Sequence, residues 1–551
     1  MKRRILALLL ALVVIGTAGC GNGSKNTDVT TKPSTEETNT TTEAVDSTAS
    51  TSEIQTTYGS KQFDNVTVSV EVFDRSNAPE GSSVIDNRWT KYINDEMNKV
   101  GITIKFVAVP RAEEVSRVQL MMASGTGPDL MLSYTASLVE GFYNESGTYD
   151  LAPYVDGADQ VKNLKEYIGE ECLNVARNEA GNLWGIAARR ATTAANNIFI
   201  RKDWLDEAGL QIPTTVDEMY TVLQAFKKNH PNAFSSAFAV NTRANDPHGT
   251  ISMAFLKNVA DKTSYDIQAA SAADLIYSDP GYGEYFKWIN SIYNEGLMNP
   301  EYYVNVTNDS AMKEDFVNGK IGCFELNVNY NVDSLRGSLL KVLQQTDPKA
   351  DVISIPPLKN VNDGQLYNKT YPVNGAFTFV PKTSQNVEAA ITYLDWLGTK
   401  EGGFTLFHGI EGEHFKYDGN VPAVIDADYN AKDKDWTRHD LFLIGNQGYY
   451  KTQEDFAAAT SKEAPGYEKY VLDNYKNASL GINRGDPTFV APTFTEKNAE
   501  ISIIREEYFV KLVTCSPDKF DATLEEFKAK LEKAGYDQIV KEYTDFYKSA
   551  K

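Results

Sequence analysis

The chain has 551 residues, 42% hydrophobic and 11% aromatic, with a formal net charge of −21. That length exceeds what one hydrophobic core organises, so two large lobes plus tails are expected. The acidic balance excludes nucleic acid and an anionic lipid surface as main partners and leaves neutral or cationic solutes open, because the average field of the protein repels polyanions.

Lys2, Arg3 and Arg4 precede an apolar run from Ile5 to Ile15, followed by Gly16, Thr17, Ala18, Gly19 and Cys20. That order reads as an export signal over 1–20. The run is shorter than the roughly 20 apolar residues that span a bilayer. Ala18-Gly19-Cys20 resembles a bacterial lipobox, which implies lipidation of Cys20 and anchoring on the extracellular face of the membrane. Thr17 departs from the leucine-like residue usual there. Residues 21–59 are mostly Thr, Ser, Glu, Asn and Asp, too poor in aliphatic side chains to offset folding entropy, and read as a disordered tether. Cys172, Cys323 and Cys515 have no CxxC pairing and no histidines at metal-ligand spacing, so they read as buried small hydrophobes.

Folded sequence is expected from about Asn65, where Val66, Val68, Val70 and Val72 alternate as in a strand. A helix over 87–99 puts Trp89, Ile93 and Met97 on one face, and Ile102, Ile104 and Phe106 form a second strand. A helix carrying Val115, Val118 and Met122 is broken at Gly125–Pro128, and Asp129 to Leu132 enters a third strand. This alternation predicts a parallel sheet with helices on both faces and a ligand beyond the carboxyl ends of the strands. A second block begins with a strand over 197–200 and a helix ending at Gly209, and Thr215 with Glu218 predicts a capping box.

Five stretches then carry a resemblance. They are Ser124-Gly125-Thr126-Gly127-Pro128-Asp129-Leu130, Arg201 to Gly209 with Pro213 to Glu218, Phe316 to Gly322, Ala389 to Leu397, and Glu411 to Phe415. In this order they resemble the extracellular solute-binding proteins of carbohydrate ABC transporters, family 1 type, in the lipoprotein branch of Gram-positive bacteria. The resemblance implies an α/β, two-lobe periplasmic-binding-protein-like fold (type II), with lobes joined by crossing hinge segments. Lobe one would hold 60–190 and 376–410, and lobe two 191–375 and 411–551. It also implies capture of a sugar or oligosaccharide between the lobes, delivery to ABC permease subunits, a monomer and no catalysis. Some relatives carry a calcium loop where this chain has Lys227-Lys228-Asn229-His230-Pro231-Asn232, which lacks the carboxylates a hard cation needs, so neither metal nor cofactor is expected.

A sugar cleft needs aromatic plates and planar polar side chains. Asp74, Arg75 and Tyr134 follow strands at the cleft edge, Arg189 and Arg190 precede the first crossing, and Asn197 and Asn374 lie on crossing segments. Glu325, Asn329 and Tyr330 stand where relatives carry lobe-two contacts, while Trp89 faces either the cleft or its own core and Trp436 lies in a charged loop. Trp204 and Trp396 sit beside leucines in helical motifs and read as core. Two alternatives stand beside this reading: a secreted glycoside hydrolase using a carboxylate pair, and a surface solute sensor on the same fold.

Overall fold

The computed structural model describes residues 61–157, 161–238, 249–270, 279–305, 310–333, 338–446, 448–450, 452–485 and 491–549. The expected export signal, Cys20 and the tether lie outside them. The described residues fall in one compact unit.

Among the described residues nine strands come first: β1 (Val66–Asp74), β2 (Ile102–Pro110), β3 (Met131–Ser133), β4 (Ile186–Arg190), β5 (Asn196–Arg201), β6 (Cys323–Asn327), β7 (Val352–Ile355), β8 (Tyr367–Thr370) and β9 (Asn374–Phe379). The hairpin β10 (Phe415–Asp418) and β11 (Val421–Val424), β12 (Gly445–Asn446) and β13 (Ile482–Gly485) follow.

The alternating valines form β1, which runs parallel to β2 from Val66 opposite Ile102 to Asp74 opposite Pro110. The helix between them, Arg88–Met97, starts at Asn87, whose side chain accepts the Trp89 and Thr90 amides while the Thr90 hydroxyl accepts the Asn87 amide. It stops short of Lys99 because residues 98–100 tighten into a 3₁₀ turn closed by Gly101 at φ 79°. β3 begins later than expected: Leu130 makes only a bridge to Val70, and Asp129 instead accepts from Ser69, Ser384 and Asn386. The order β12-β4-β9-β3 continues the sheet, with β9 antiparallel to β3 and β4. The second sheet has the order β6-β5-β7, extended by bridges from Phe234 and Ala237 to β6 and its flank.

Among the described residues, side chains segregate into three cores. The first joins Val68, Val70, Trp89 and Ile104 to Trp396, Phe407 and Leu441. The second is largely helical and packs Trp204, Phe226 and the helix Pro280–Asn294 against the C-terminal helices Pro492–Thr514, Phe520–Lys533 and Tyr536–Ser549. The third holds Phe199, Phe324, Tyr330, Phe456 and Tyr475. The two-residue period of β5 divides its side chains, with Ile198 and Ile200 in the second core and Phe199 in the third. Trp204 and Trp396 are buried, as are Cys172 and Cys323, whereas Cys515 is half-buried, contrary to the expectation for it.

The capping box at Thr215 is displaced by one residue. Thr215 accepts the Glu218 amide, but the Glu218 carboxylate accepts from the Thr214 amide and hydroxyl instead of the Thr215 amide. The chain leaves the first sheet for the second through 191–195. There Ala194 bridges Thr370, and the Tyr371 amide donates to the Thr193 carbonyl at 2.9 Å. Among the described residues no helix is long and apolar enough to cross a membrane.

Candidate functional site

Strand direction fixes where polar side chains can converge. β1, β2, β3, β4 and β12 share one direction and end at one edge of the first sheet, where antiparallel β9 begins. The residues at or just beyond that edge are Arg75, Arg111, Tyr134, Arg190, Asn446 and Asn374.

Tyr134, 37% exposed, stacks on Phe73 at 5.9 Å and 17°, and the Arg111 guanidinium lies 4.6 Å from its ring centroid. Glu114 fixes this arrangement by accepting from the Ser133 hydroxyl (2.5 Å), the Tyr134 amide (2.7 Å) and Arg111 Nη1 (2.7 Å). Asn446 Nδ2 donates to the Tyr134 hydroxyl at 3.3 Å, and Asn446 Oδ1 accepts from Arg190 Nη1 at 3.2 Å. Arg190 Nε donates to the carbonyls of Pro372 (3.1 Å) and Asn374 (3.2 Å), and its guanidinium lies 4.5 Å from the Tyr371 ring. Asn327, at the end of β6, donates to the Tyr371 hydroxyl at 3.2 Å. A connected line of aromatic, amide and guanidinium groups thus passes from the first sheet to the second. Gly375 makes room for it: a Cβ there would stand 2.5 Å from Asn446 Nδ2 and 2.8 Å from Asn446 Cβ.

Asn327, at the end of this line, also lines a cavity of about 210 Å³ whose apolar walls include Phe407 of the first core and Phe456 of the third. Asn327, Asn329, Arg438, His439, Glu463 and Tyr475 line it. Arg438 grips both Glu463 carboxylate oxygens at 3.2 Å and Asp435 at 3.1 Å, and lies 4.3 Å from the Phe407 ring. Burial pushes His439 down to about 3, with the Arg438 and Arg75 charges adding to the effect, so it is neutral at physiological pH. Arg75 holds Asp440 at 2.9 Å through Nε.

Of the residues singled out in the sequence, Arg75, Tyr134, Arg190 and Asn374 meet at the edge. Asp74 ends β1 and accepts the Ser76 amide, while Arg189 donates to the Tyr167 carbonyl at 3.2 Å. Asn329 reaches the cavity and donates to the Tyr475 hydroxyl at 2.9 Å. Glu325 instead accepts the Thr250 and Ile251 amides. Asn197 is buried and donates to the carbonyls of Val328 and Asn474. Trp89, 1% exposed, donates its indole N–H to the Asp433 carbonyl. Tyr330 packs in the third core and Trp436 in the first.

Arg111, Asn327, Tyr371, Arg438, Asn446 and Glu463 were not singled out. Arg111 directly follows the second strand, so the strand-end rule that selects Tyr134 selects it too. No local pattern marks Asn446, since β12 is two residues long.

A family model described as "Bacterial extracellular solute-binding protein" matches residues 91–413, and a model of a domain of unknown function matches residues 488–549. Lipoprotein LipO of Bacillus subtilis (strain 168) is 24% identical over 488 residues, covering 82% of this chain and 87% of the relative. The polygalacturonan/rhamnogalacturonan-binding protein YtcQ of the same organism is 22% identical over 463 residues, covering 80% and 85% respectively. The crystal structure of an extracellular solute-binding protein from Bifidobacterium longum subsp. infantis superposes with a TM-score of 0.63 at 18% identity, covering 89% of this chain and 98% of that one. That likeness gives the fold: α/β, of the two-lobe type the sequence implies. With the model spanning more than half of its residues, the chain belongs to the bacterial extracellular solute-binding proteins.

Proposed function

We propose that the protein captures an oligosaccharide across the line from Tyr134 through Asn446, Arg190 and Tyr371 to Asn327, and delivers it to the permease subunits of an ABC importer. The observation that carries this reading is the convergence, at the carboxyl edge of one sheet and the end of β6, of two exposed or half-exposed aromatic rings with planar amide and guanidinium groups. Rings cover the C–H faces of a sugar, and planar groups pair with its hydroxyls. The family and the printed ligand of the YtcQ relative support the same reading. The two-sheet arrangement supports a reading in which two lobes close on the ligand, with the segments around Thr193 and Tyr371 as hinge.

The test is a thermal-shift screen over oligosaccharides followed by X-ray scattering. A ligand at 100 times its Kd should add about 2.7 kcal/mol to stability and reduce the radius of gyration. Dimensions unchanged at saturation would overturn closure, and new reducing ends during incubation would overturn binding without catalysis. The protein sits outside the cell, tethered through a lipid on Cys20, a reading supported by the lipobox-like sequence and the LipO relative. Cys20→Ser is accordingly expected to move the protein from the membrane fraction into the medium.

A further inference from the structure

The protein is strongly acidic, yet guanidinium groups gather at the ligand edge. Two of them are neutralised: Arg75 by Asp440 at 2.9 Å and Arg111 by Glu114 at 2.7 Å. Arg190 is held differently. Its partners are two backbone carbonyls, the Asn446 amide oxygen and the Tyr371 ring, all of them neutral. No carboxylate among the described residues reaches it, and Nη2 meets no partner among them. The side chain is half-buried, and an arginine keeps its charge in such a setting. A partly desolvated cation with no counter-charge is unfavourable unless something of opposite sign arrives.

The surroundings also argue against a site made for neutral hydroxyls alone. Neutral sugars are gripped well by carboxylates, which accept from two hydroxyls at once. Here Asp440 and Glu114 are committed to arginines, and Asp74 accepts the Ser76 amide. The Asn446 and Asn327 amides are likewise engaged, donating to the Tyr134 and Tyr371 hydroxyls, which leaves the outer nitrogen of the Arg190 fork as the uncommitted donor along the line. The carbonyls on the Nε side and the ring of Tyr371 fix the plane of the fork before a ligand arrives, which lowers the entropy lost on pairing.

We propose that the cleft selects carboxylate-bearing oligosaccharides, chains of uronic acid units, with Arg190 receiving one carboxylate. This rests on the oligosaccharide reading above and narrows it. It also reverses, locally, what the overall charge suggests, because the field at the edge is set by groups within a few ångströms and not by the distant acidic surface.

The experiment titrates the whole protein calorimetrically with three ligands of equal length: trigalacturonate, the same trisaccharide as its methyl ester, and a neutral galactotriose. Trigalacturonate is expected to bind at least about 10-fold tighter than the ester, the value of one charge-assisted hydrogen bond, with affinity falling as salt rises. Arg190→Gln should remove that preference, and Arg190→Lys should restore only part of it, since an ammonium lacks the fork. The ester comparison needs no variant, so a poorly folding Arg190→Gln leaves the test intact. Equal or tighter binding of the ester or the neutral chain would overturn the carboxylate inference and leave oligosaccharide capture standing. Failure of all three ligands, and of the wider oligosaccharide screen, would overturn both.

Discussion

Glu71 stands in the middle of β1, wholly buried, with one carboxylate oxygen accepting the Leu132 amide at 3.3 Å and the other unpartnered. Burial, opposed by the Leu132 amide and helped by nearby Glu114, pushes its pKa up to about 8. The group is therefore largely protonated at neutral pH. Its folded pKa exceeds the unfolded value of 4.5, so the folded state binds the extra proton between those limits. Stability from this group is fully present below pH 4.5 and is lost as pH rises toward 8, by at most about 5 kcal/mol. Glu71→Gln should flatten that slope in chemical denaturation between pH 5 and pH 9. An unchanged slope would mean that Glu71 is ionised in the fold. The position matters because Leu132 is two residues from Tyr134, whose amide Glu114 holds. Charging Glu71 beside Glu114 would strain the support of the stacking ring itself.

At the scale of elements, the β-valines and the 102–110 alternation make the parallel pair legible in sequence, and the rule that ligands meet strand ends leads to Tyr134. The same rule leads to Arg190 only once β4 is known to end there. Trp89 shows the limit of periodicity. A helix face with Trp89, Ile93 and Met97 does not say whether the indole meets solvent, and the Asp433 carbonyl that takes its N–H is 344 residues away. Asn446 was illegible for a related reason. Its two-residue strand exists because β4 offers an edge, pairing Gly445 with Arg189 and Asn446 with Arg190, 256 residues apart. The displaced capping at Thr215 is a smaller case: Glu218 has two candidate amides, and the Thr214 hydroxyl adds a second bond that favours the earlier one.

For the molecule as a whole, the proposed closure needs something that holds the two sides together and can let go. Arg438 meets that description. It belongs to the short helix Arg438–Leu441 packed in the first core, while Glu463 follows the helix Gln453–Lys462 of the third. Their pairing bounds the cavity that includes Asn329 and Tyr475. Its Nε is buried without a partner, so the guanidinium is committed to Glu463 and Asp435 by its outer nitrogens only. Removing one member of such a buried pair costs about 3 kcal/mol, chiefly by stranding the other. Arg438→Met keeps the packing on Phe407 and deletes the charge. If the pair favours the closed arrangement, the ligand-free variant should show a larger radius of gyration. Its apparent affinity should be weaker by the lowered fraction of the closed form, and saturating ligand should return it to wild-type dimensions. A variant that loses stability but keeps both its free dimensions and its affinity would make the pair a staple between cores, and closure would have to be held by the ligand alone.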